Sequence, residues 1–562
     1  MSIYEIAEEF IQLTNCSVFL TGKAGTGKTT MLRQIREVAF KQTAVVAPTG
    51  VAAINAGGTT IHSFFQLPFS PFIPTIEAKK AFIAKQQVNN VRRKIYRELE
   101  LLIIDEVSMV RADVLDAIDT VLRHYRFRPN EPFGGVQVVF IGDMYQLPPV
   151  CVGEEWELLR RYYVSPYFFH SQAIQKQPPI YIELDKIFRQ SNQQFINLLN
   201  EVRNNQLTPD TLRLLNLCYK PDFRNVDEYI TLTTHNASAD AINNDELSKI
   251  DAPYYKFVAH IDRDFPERNF PTEVELSLKL GAKVMFIAND MAQPRRYYNG
   301  KIGEITEINN DEIWVTCDGE DEAIKVSLEV WENKSYTIDP KTNQIEEKLL
   351  GTFTQYPLRL AWAITIHKSQ GLTFDRVAID LGPGAFACGQ TYVALSRARS
   401  LEGLELISRI SQGAAMVSRD VIEFAAGFND GDQIYKQIQI GEAINDHVKS
   451  QNYDAAAVTL YSMASNEARK GNFDYACTLM SNAMSYVADD SCLESREWLP
   501  FQSDNYSHRI LNAFGLFYDG CKEEAEAILE SLGEVVLNQN FDALYILARC
   551  LEEKQQWDEI KY

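Results

Sequence analysis

Ser17-Val18-Phe19-Leu20-Thr21-Gly22-Lys23-Ala24-Gly25-Thr26-Gly27-Lys28-Thr29-Thr30 is the stretch that decides the fold. Its first five residues are apolar or β-branched for the most part and read as a buried strand. Thr30-Met31-Leu32-Arg33-Gln34-Ile35 then opens a helix. Between them Gly22 to Thr29 spells G-x-x-x-x-G-K-[ST], the phosphate-binding loop in its required strand–loop–helix setting. The expected nucleotide contacts are Gly22, Ala24, Gly25, Thr26, Gly27, Lys28, Thr29 and Thr30. Glycines let backbone N–H groups turn inward onto phosphate oxygens, and the helix N-terminus adds its positive dipole end. Lys28 is expected on the β- and γ-phosphates, and Thr29 on Mg²⁺. A glycine-rich turn ahead of an ordinary helix is the bland alternative, and the complete match in context outweighs it.

Working outward, Leu101-Leu102-Ile103-Ile104-Asp105-Glu106 reads as a central strand that delivers two carboxylates at its C-terminal end. Ligands in open α/β sheets bind at that edge. Asp105 is expected to hold Mg²⁺ through its water shell, and Glu106 to polarise the attacking water. A third strand, Val136 to Ile141, runs into Gly142-Asp143-Met144-Tyr145-Gln146-Leu147-Pro148-Pro149, which brings Gln146 to the same edge, within reach of a γ-phosphate. A loop amide capping a turn is the alternative for Gln146.

At 562 residues the chain exceeds one ordinary core, and two to four domains are expected. Hydrophobic content of 46% and charged content of 23% fit a globular protein. No apolar stretch of about 18 residues is free of charge, so a membrane span is not expected. Met1 to Leu13 carries acidic residues where a targeting peptide would carry basic ones. Nine scattered cysteines without metal-ligand spacing fit a reducing, cytoplasmic setting. The net charge of -21 argues at first against a nucleic-acid partner. About two thirds of the excess, however, lies in roughly the last quarter of the chain, which leaves the remainder only mildly acidic.

The two strand-end motifs specify phosphate chemistry and no task. Further segments narrow the reading. Ala47-Pro48-Thr49-Gly50-Val51-Ala52-Ala53 with Gly58 to Phe64 resembles motif Ia of superfamily-one helicases. Ile103 to Met109 resembles their motif II, Gly142 to Pro149 motif III, and Ile187-Phe188-Arg189-Gln190 the next arginine-bearing motif. Trp362 to Gly371 and Tyr392 to Arg399 resemble the last two. Val110 to Asp119 resembles the signature helix of the RecD/Pif branch, and the closest match is the Pif-type (petite integration frequency) family. The likeness covers about residues 1–408. One departure stands out: the adenine-binding glutamine motif is not clear ahead of the loop, with Gln12 as its candidate.

The resemblance implies an ATP-dependent DNA helicase or translocase that binds single-stranded and tailed duplex DNA and moves 5′→3′. It implies roles in replication, recombination, repair or telomere-type maintenance, a monomeric motor, and, in a bacterium, association with the nucleoid. Catalytic roles fall to Lys28, Glu106 and Gln146, with Arg189 and Arg397 as two arginine fingers. A salt bridge from Arg397 to Glu402 or Glu405 is the alternative for the latter. Nucleic acid is expected at Thr49, Gly50, His62, Ser63 and Phe64, then at Thr234, His235 and Asn236, and at Thr365, His367 and Lys368. Single-strand motors combine such polar grips with aromatic platforms. Core packing is the alternative for His62 and His235.

The implied fold is α/β: two RecA-like P-loop NTPase domains with small inserted domains, one an SH3-like β-barrel, and an all-α tetratricopeptide-like C-terminal domain. The expected layout is domain 1A over 1–190 with a wedge insert at 66–98, a helical connector over 191–228, and domain 2A over 229–408. Tyr229 to Leu232, Leu280 to Ile287 and Arg376 to Asp380 supply strands of the second sheet. The β-barrel insert lies at about 302–356, with hairpin turns at Asn309-Asn310-Asp311 and Asp318-Gly319. A linker spans 409–440 and the repeat domain 441–562. Phe69 and Phe72 are the wedge candidates, and ordinary loop packing is an equal alternative for either ring. In the tail Gly471-Asn472-Phe473, Ala476, Met480 and Ala483 fit one repeat, Gly520, Ala525 and Leu529 a second, and Leu547, Ala548, Leu551 and Trp557 begin a third. An unrelated helical bundle is the alternative. Such repeats bind other proteins on a concave face, so the tail is expected to recruit a protein partner or to restrain the motor. Two other functions compete: a non-unwinding translocase or nuclease-complex subunit, and a repeat scaffold with a regulatory NTPase.

Overall fold

Near-continuous apolar runs are the mark of parallel strands covered on both faces. In the computed structural model, such runs dominate one parallel sheet of six strands: β1 (Val18–Gly22), β2 (Thr43–Ala47), the short edge strand β3 (Thr59–Thr60), β4 (Leu101–Ile104), β5 (Gln137–Ile141) and β6 (Ile180–Leu184), in the order β3-β2-β4-β5-β1-β6. The described residues are 2–553 without 69, 87, 130, 152, 189, 191, 224–227, 291–295, 310, 311, 318, 319, 339–344, 383, 386, 428, 451, 487–492, 494–497, 499, 501, 503, 534–536 and 538–540. β1 sits between β5 and β6, with Val18 opposite both Val139 and Ile180. β5 separates β1 from β4. The C-terminal ends of β1, β4 and β5 therefore lie side by side.

A second parallel sheet has the order β18-β7-β19-β20, from β7 (Ile230–Thr233), β18 (Ala363–Thr365), β19 (Val377–Asp380) and β20 (Leu404–Leu406). Helices Gln193–Arg203 and Pro209–Leu217 lead into it. Between β7 and β18 the chain turns to antiparallel pairing. β8 (Tyr255–Val258) pairs with β10 (Glu275–Leu278), while β9 (His260–Arg263) joins β15 (Glu329–Ile338) and β16 (Ile345–Gln355) in a three-stranded sheet. Five more strands, β11 (Lys283–Phe286), β12 (Ile302–Asn309), β13 (Glu312–Cys317), β14 (Ala323–Val326) and β17 (Leu358–Leu360), form a sheet in the order β14-β13-β12-β11-β17.

This pairing corrects one expectation. Leu280 to Ile287 does not enter the second parallel sheet: its strand β11 pairs antiparallel with β12 and β17. A four-residue apolar run fits either sheet, and the partner decides. The antiparallel region also starts earlier than residue 302, because β8 and β9 belong to it. Of the expected hairpin turns, Asn310, Asp311, Asp318 and Gly319 lie outside the described residues.

The chain packs as two compact units. One holds Met1–Tyr4, Ser17–Arg126 and Val136–Asn429; the other holds Glu5–Cys16, Phe127–Gly135 and Asp430–Tyr562. In the second, helices Gly431–Lys449, Tyr453–Arg469, Phe473–Tyr486, Tyr506–Tyr518, Lys522–Glu530 and Phe541–Glu553 surround a core rich in small residues, among them Ala456, Ala457, Ala464, Ala476 and Ala483. Alanines let helix backbones approach closely. Gly471 (φ 83°) and Gly520 (φ 87°) occupy the left-handed position just past helix ends, where a Cβ would cost energy. The boundary expected at 440/441 falls inside the 19-residue helix Gly431–Lys449. Helix Ile3–Leu13, which the sequence assigns to the first domain, has most of its length in the second unit. There the Leu13 carbonyl oxygen lies so close to Gly441 that a Cβ would overlap it. Trp557, named for the third repeat, lies outside the described residues. Among those residues no helix is long and apolar enough to cross a membrane.

Candidate functional site

The loop after β1 is built on backbone angles that only glycine adopts cheaply. Gly22, Gly25 and Gly27 have φ of 154°, 84° and 82°, and a Cβ on Gly22 would press on Thr26 Oγ1 at 2.5 Å and the Leu184 carbonyl oxygen at 2.8 Å. Gly27 then caps helix Lys28–Val38. Lys28 Nζ donates to the carbonyl oxygens of Gly22 at 2.6 Å and Lys23 at 3.1 Å. Its ammonium thus lies folded over the loop, where a phosphate would offer a stronger, charged acceptor. Thr29 and Thr30 are exposed, and Ala24 and Thr26 are buried.

Asp105, at the end of β4, is 9% exposed. Burial first and its neighbour Glu106 second push its carboxyl well above the usual range, while the charge of Lys28 pulls it back. A cation bound beside Asp105 would relieve both penalties. Glu106 is left-handed (φ 50°), an uncommon state for a residue with a Cβ. Gln146 is 8% exposed beyond β5. Its amide approaches Asp143 Oδ2 at 3.5 Å and its carbonyl oxygen accepts from Gln370 Nε2 at 3.3 Å. Gln370 follows β18, so the second parallel sheet reaches the edge of the first. A second link is tighter: the Tyr392 hydroxyl accepts the backbone N–H of Ala24 at 3.0 Å. A third is steric, since a Cβ on Gly389 would overlap the carbonyl oxygens of Gln146 and Tyr145.

The two arginines fare differently. Arg189 lies outside the described residues. Arg397 is 1% exposed, and its guanidinium donates to the carbonyl oxygens of Val393, Ser369 and Leu372 and to Ser396 Oγ. These contacts tie the loop after β18 to helix Gln390–Leu395. Glu405, one of the two carboxylates weighed as its partner, pairs with Lys220 instead. Gln12 sits on helix Ile3–Leu13 in the second unit, whereas the phosphate loop is in the first. Beside the loop, in its own unit, are two aromatics to which the motifs give no ligand role. The Tyr4 hydroxyl donates to the Thr26 carbonyl oxygen at 3.0 Å, and the exposed Phe188 ring lies beside Gly27.

Expected nucleic-acid residues sort by exposure. Thr49, His235, Asn236 and Lys368 are exposed at the ends of β2, β7 and β18. Thr49 Oγ1 caps helix Gly50–Ala56 by accepting from Ala52 N–H, and Gly50 lies against Asn269. Thr234 Oγ1 and His235 Nδ1 are 2.8 Å apart. His62 and Ser63 are half-buried, and Arg92 holds the Ser63 carbonyl oxygen at 2.8 Å. Burial lowers the pKa of His367, so it favours the neutral form. Thr365 is 4% exposed and Phe64 is 4% exposed. Phe64 packs edge-on against Phe65 and Tyr96; in this conformation its ring serves the core and presents no stacking face. Phe72 is also buried, against Phe82, and its N–H donates to Asp113. It is no exposed wedge tip. Phe69 lies outside the described residues. The carboxylates of the signature helix are structural staples: Asp113 pairs with Arg111, Asp119 with Arg123, and Asp116 accepts from Tyr163 and two backbone N–H groups.

A phosphate cradle, two adjacent carboxylates and a glutamine converge on one sheet edge that a second parallel sheet reaches. That arrangement defines a two-sheet P-loop protein. The sequence profile described as PIF1-like helicase matches residues 1–211. ATP-dependent DNA helicase Pif1 of Campylobacter jejuni is 30% identical over 449 residues, covering 75% of this chain and 97% of that protein. Human ATP-dependent DNA helicase PIF1 is 35% identical over 405 residues, covering 70% of this chain and 58% of the human protein. Among solved structures, Bacteroides sp Pif1 in complex with ADP-AlF4 matches with a TM-score of 0.70 and 41% identity over 75% of this chain and 96% of that one. Bacteroides Pif1 bound to ssDNA matches with a TM-score of 0.55 and 41% identity over 76% and 97% of the two chains. The chain therefore belongs to the PIF1-like helicase family, and its two parallel sheets are the RecA-like core. It spans 58% of the human relative's length.

Proposed function

We propose that this chain is an ATP-dependent DNA helicase that binds single-stranded DNA and unwinds tailed duplexes, moving 5′→3′ in replication, recombination, repair or telomere-type maintenance. The observation that carries the reading is the convergence of Lys28, Asp105 and Gln146 at one edge, with Tyr392 and Gln370 reaching it from the second half. Hydrolysis at such an edge can be felt by both halves. The helicase relatives and the Bacteroides complexes with ADP-AlF4 and ssDNA support the same reading.

In this proposal Lys28 grips the phosphates, Thr29 and Asp105 hold Mg²⁺, Glu106 polarises water and Gln146 orients it. The ion would supply Lewis-acid stabilisation of the developing phosphate charge. Arg189 and Arg397 sense the γ-phosphate; Arg397 must exchange at least one carbonyl partner to do so. Thr49, Gly50, His62 and Ser63 form one backbone grip, and Thr234, His235, Asn236, Thr365, His367 and Lys368 the other. Exposed Thr49, His235, Asn236 and Lys368 carry most of the contact. The antiparallel region serves as the SH3-like insert over bound DNA, residues 66–98 as the wedge insert, and 191–228 as the connector. The tail is read as tetratricopeptide-like and as the seat of a protein partner, on a monomeric, nucleoid-associated motor.

ATP turnover with and without single-stranded DNA, plus strand separation of a 5′-tailed duplex, tests this. Turnover indifferent to DNA refutes the helicase reading and favours a repeat scaffold with a regulatory NTPase. Stimulation without strand separation favours a translocase.

A further inference from the structure

Arg203 ends helix Gln193–Arg203 and is 5% exposed, yet it has no part in the nucleotide chemistry described so far. Its Nη2 lies 3.1 Å from Asp143 Oδ1 and 3.4 Å from Glu183 Oε1. The guanidinium carbon stands 3.9 Å from the centroid of the Tyr145 ring. Its buried Nε has no hydrogen-bond partner among the described residues. The group is therefore placed to meet Asp143 and Tyr145 rather than to satisfy all its own donors.

Asp143 is the turning point of the loop that carries Gln146. It is 1% exposed, and among the described residues Arg203 is the only cation paired with it. Its Oδ1 also accepts the Tyr145 N–H at 3.2 Å, and its carbonyl oxygen accepts the Gln146 N–H at 3.0 Å. The remaining oxygen, Oδ2, faces the Gln146 amide at 3.5 Å, a long contact. Gln146 in turn accepts from Gln370. A buried carboxylate deprived of its cation seeks any donor within reach. Without Arg203 that carboxylate would shift toward its other donors, the Tyr145 N–H and the Gln146 side-chain amide, and carry Gln146 with it.

We infer that Arg203 is a positioning residue for Gln146: by pairing with Asp143 Oδ1 it fixes the carboxylate whose Oδ2 accepts from the Gln146 amide, and so sets where that amide sits to orient water at the nucleotide. The inference rests on the helicase reading above. It predicts a defect in the chemical step with phosphate binding intact. A staple that merely holds the fold together would lower both together.

The test uses the full chain and three measurements: DNA-stimulated ATP turnover, the KM for ATP, and binding of a fluorescent ADP analogue. Arg203→Gln is expected to lower kcat about 10²-fold, the scale of a misplaced positioning group. KM and analogue affinity are expected to stay within about threefold. The double variant Asp143→Asn with Arg203→Gln removes the unpaired charge and is expected to recover at least about tenfold of the lost kcat. Wild-type kcat in Arg203→Gln overturns the inference. So does a parallel loss of analogue binding, or a folded double variant that recovers nothing. Should Arg203→Gln fail to fold, kcat in the double variant decides alone. A wild-type protein without DNA-stimulated turnover refutes the helicase reading instead, which separates the two failures.

Discussion

The phenol oxygen of Tyr392 accepts the backbone N–H of Ala24 at 3.0 Å, with both residues buried. One amide of the phosphate loop is thereby held by a helix of the second half. Burial raises the Tyr392 pKa, so the hydroxyl is neutral. Tyr392→Phe keeps the ring and removes the acceptor. Coupling energies between sites are typically about 1–3 kcal/mol. The variant is expected to lose several-fold in the ratio of DNA-stimulated to basal ATP turnover, with unchanged secondary structure by circular dichroism. An unaltered ratio would mean that this contact does not link the halves.

Lys28→Ala removes the loop's ammonium, which donates to two carbonyl oxygens of the loop itself. Turnover is expected to fall by about 10²–10³-fold or more, as when a charge-stabilising donor is removed. The melting temperature should change little. A variant with near-wild-type turnover would refute the assigned site.

Asp116 gives a pH prediction. Burial raises its carboxyl from 3.8 to about 6, against the Ala173 and Gln172 N–H groups and the Tyr163 hydroxyl, which lower it. The folded state thus holds a proton to higher pH than the unfolded chain. Between about pH 4 and 6 folding binds protons, so this group's stability contribution falls as pH rises through that window. Asp116→Asn cannot titrate. Relative to the variant, the wild-type protein is expected to lose up to about 3 kcal/mol across the window, measured by denaturant unfolding. A stability difference independent of pH would show that the carboxyl is not raised.

Gly441 faces the Leu13 carbonyl oxygen with no space for a Cβ. Gly441→Val is expected to loosen helix Ile3–Leu13 from helix Gly431–Lys449, at about 1–3 kcal/mol for overpacking. Hydrogen exchange at residues 5–13 should accelerate. Truncation at residue 429 should expose the same helix, so a shortened motor is expected to need both elements or neither. Unchanged exchange in the valine variant would refute this packing.

Lys368 is exposed after β18, and only its backbone N–H is engaged, by Thr365 Oγ1, among the described residues. As a phosphate contact, Lys368→Ala should weaken single-stranded DNA binding for all sequences and reduce the salt slope by about one. Binding titrations at several salt concentrations measure both. A sequence-selective loss would point to base recognition instead.

Several of these residues are legible in the amino-acid sequence. Gly22 to Thr29, Asp105 and Gln146 sit on strand ends whose apolar runs predict strands, and parallel strands deliver their C-terminal ends to one edge. Arg203 is legible in principle: it follows Phe195 and Leu199 at eight and four residues, a cation on the buried stripe of a helix. Phe64 and Phe72 mislead, because an aromatic beside a polar loop reads alike whether it stacks on a base or fills the core. β11 misleads for a similar reason, since its strand character is local and its partner is not.

The sequence alone determines the chemistry at the phosphate loop and the family, because both depend on residues contiguous along the chain with fixed backbone demands. Only the tertiary structure decides which side chains meet across distance. Tyr392 on Ala24, Arg203 on Asp143, Arg397 on the Ser369 and Leu372 carbonyls and Gly441 on Leu13 all join segments separated in sequence. Such contacts follow from packing of the whole chain, where burial and charge pairing are settled among many competing neighbours, and no local pattern encodes them.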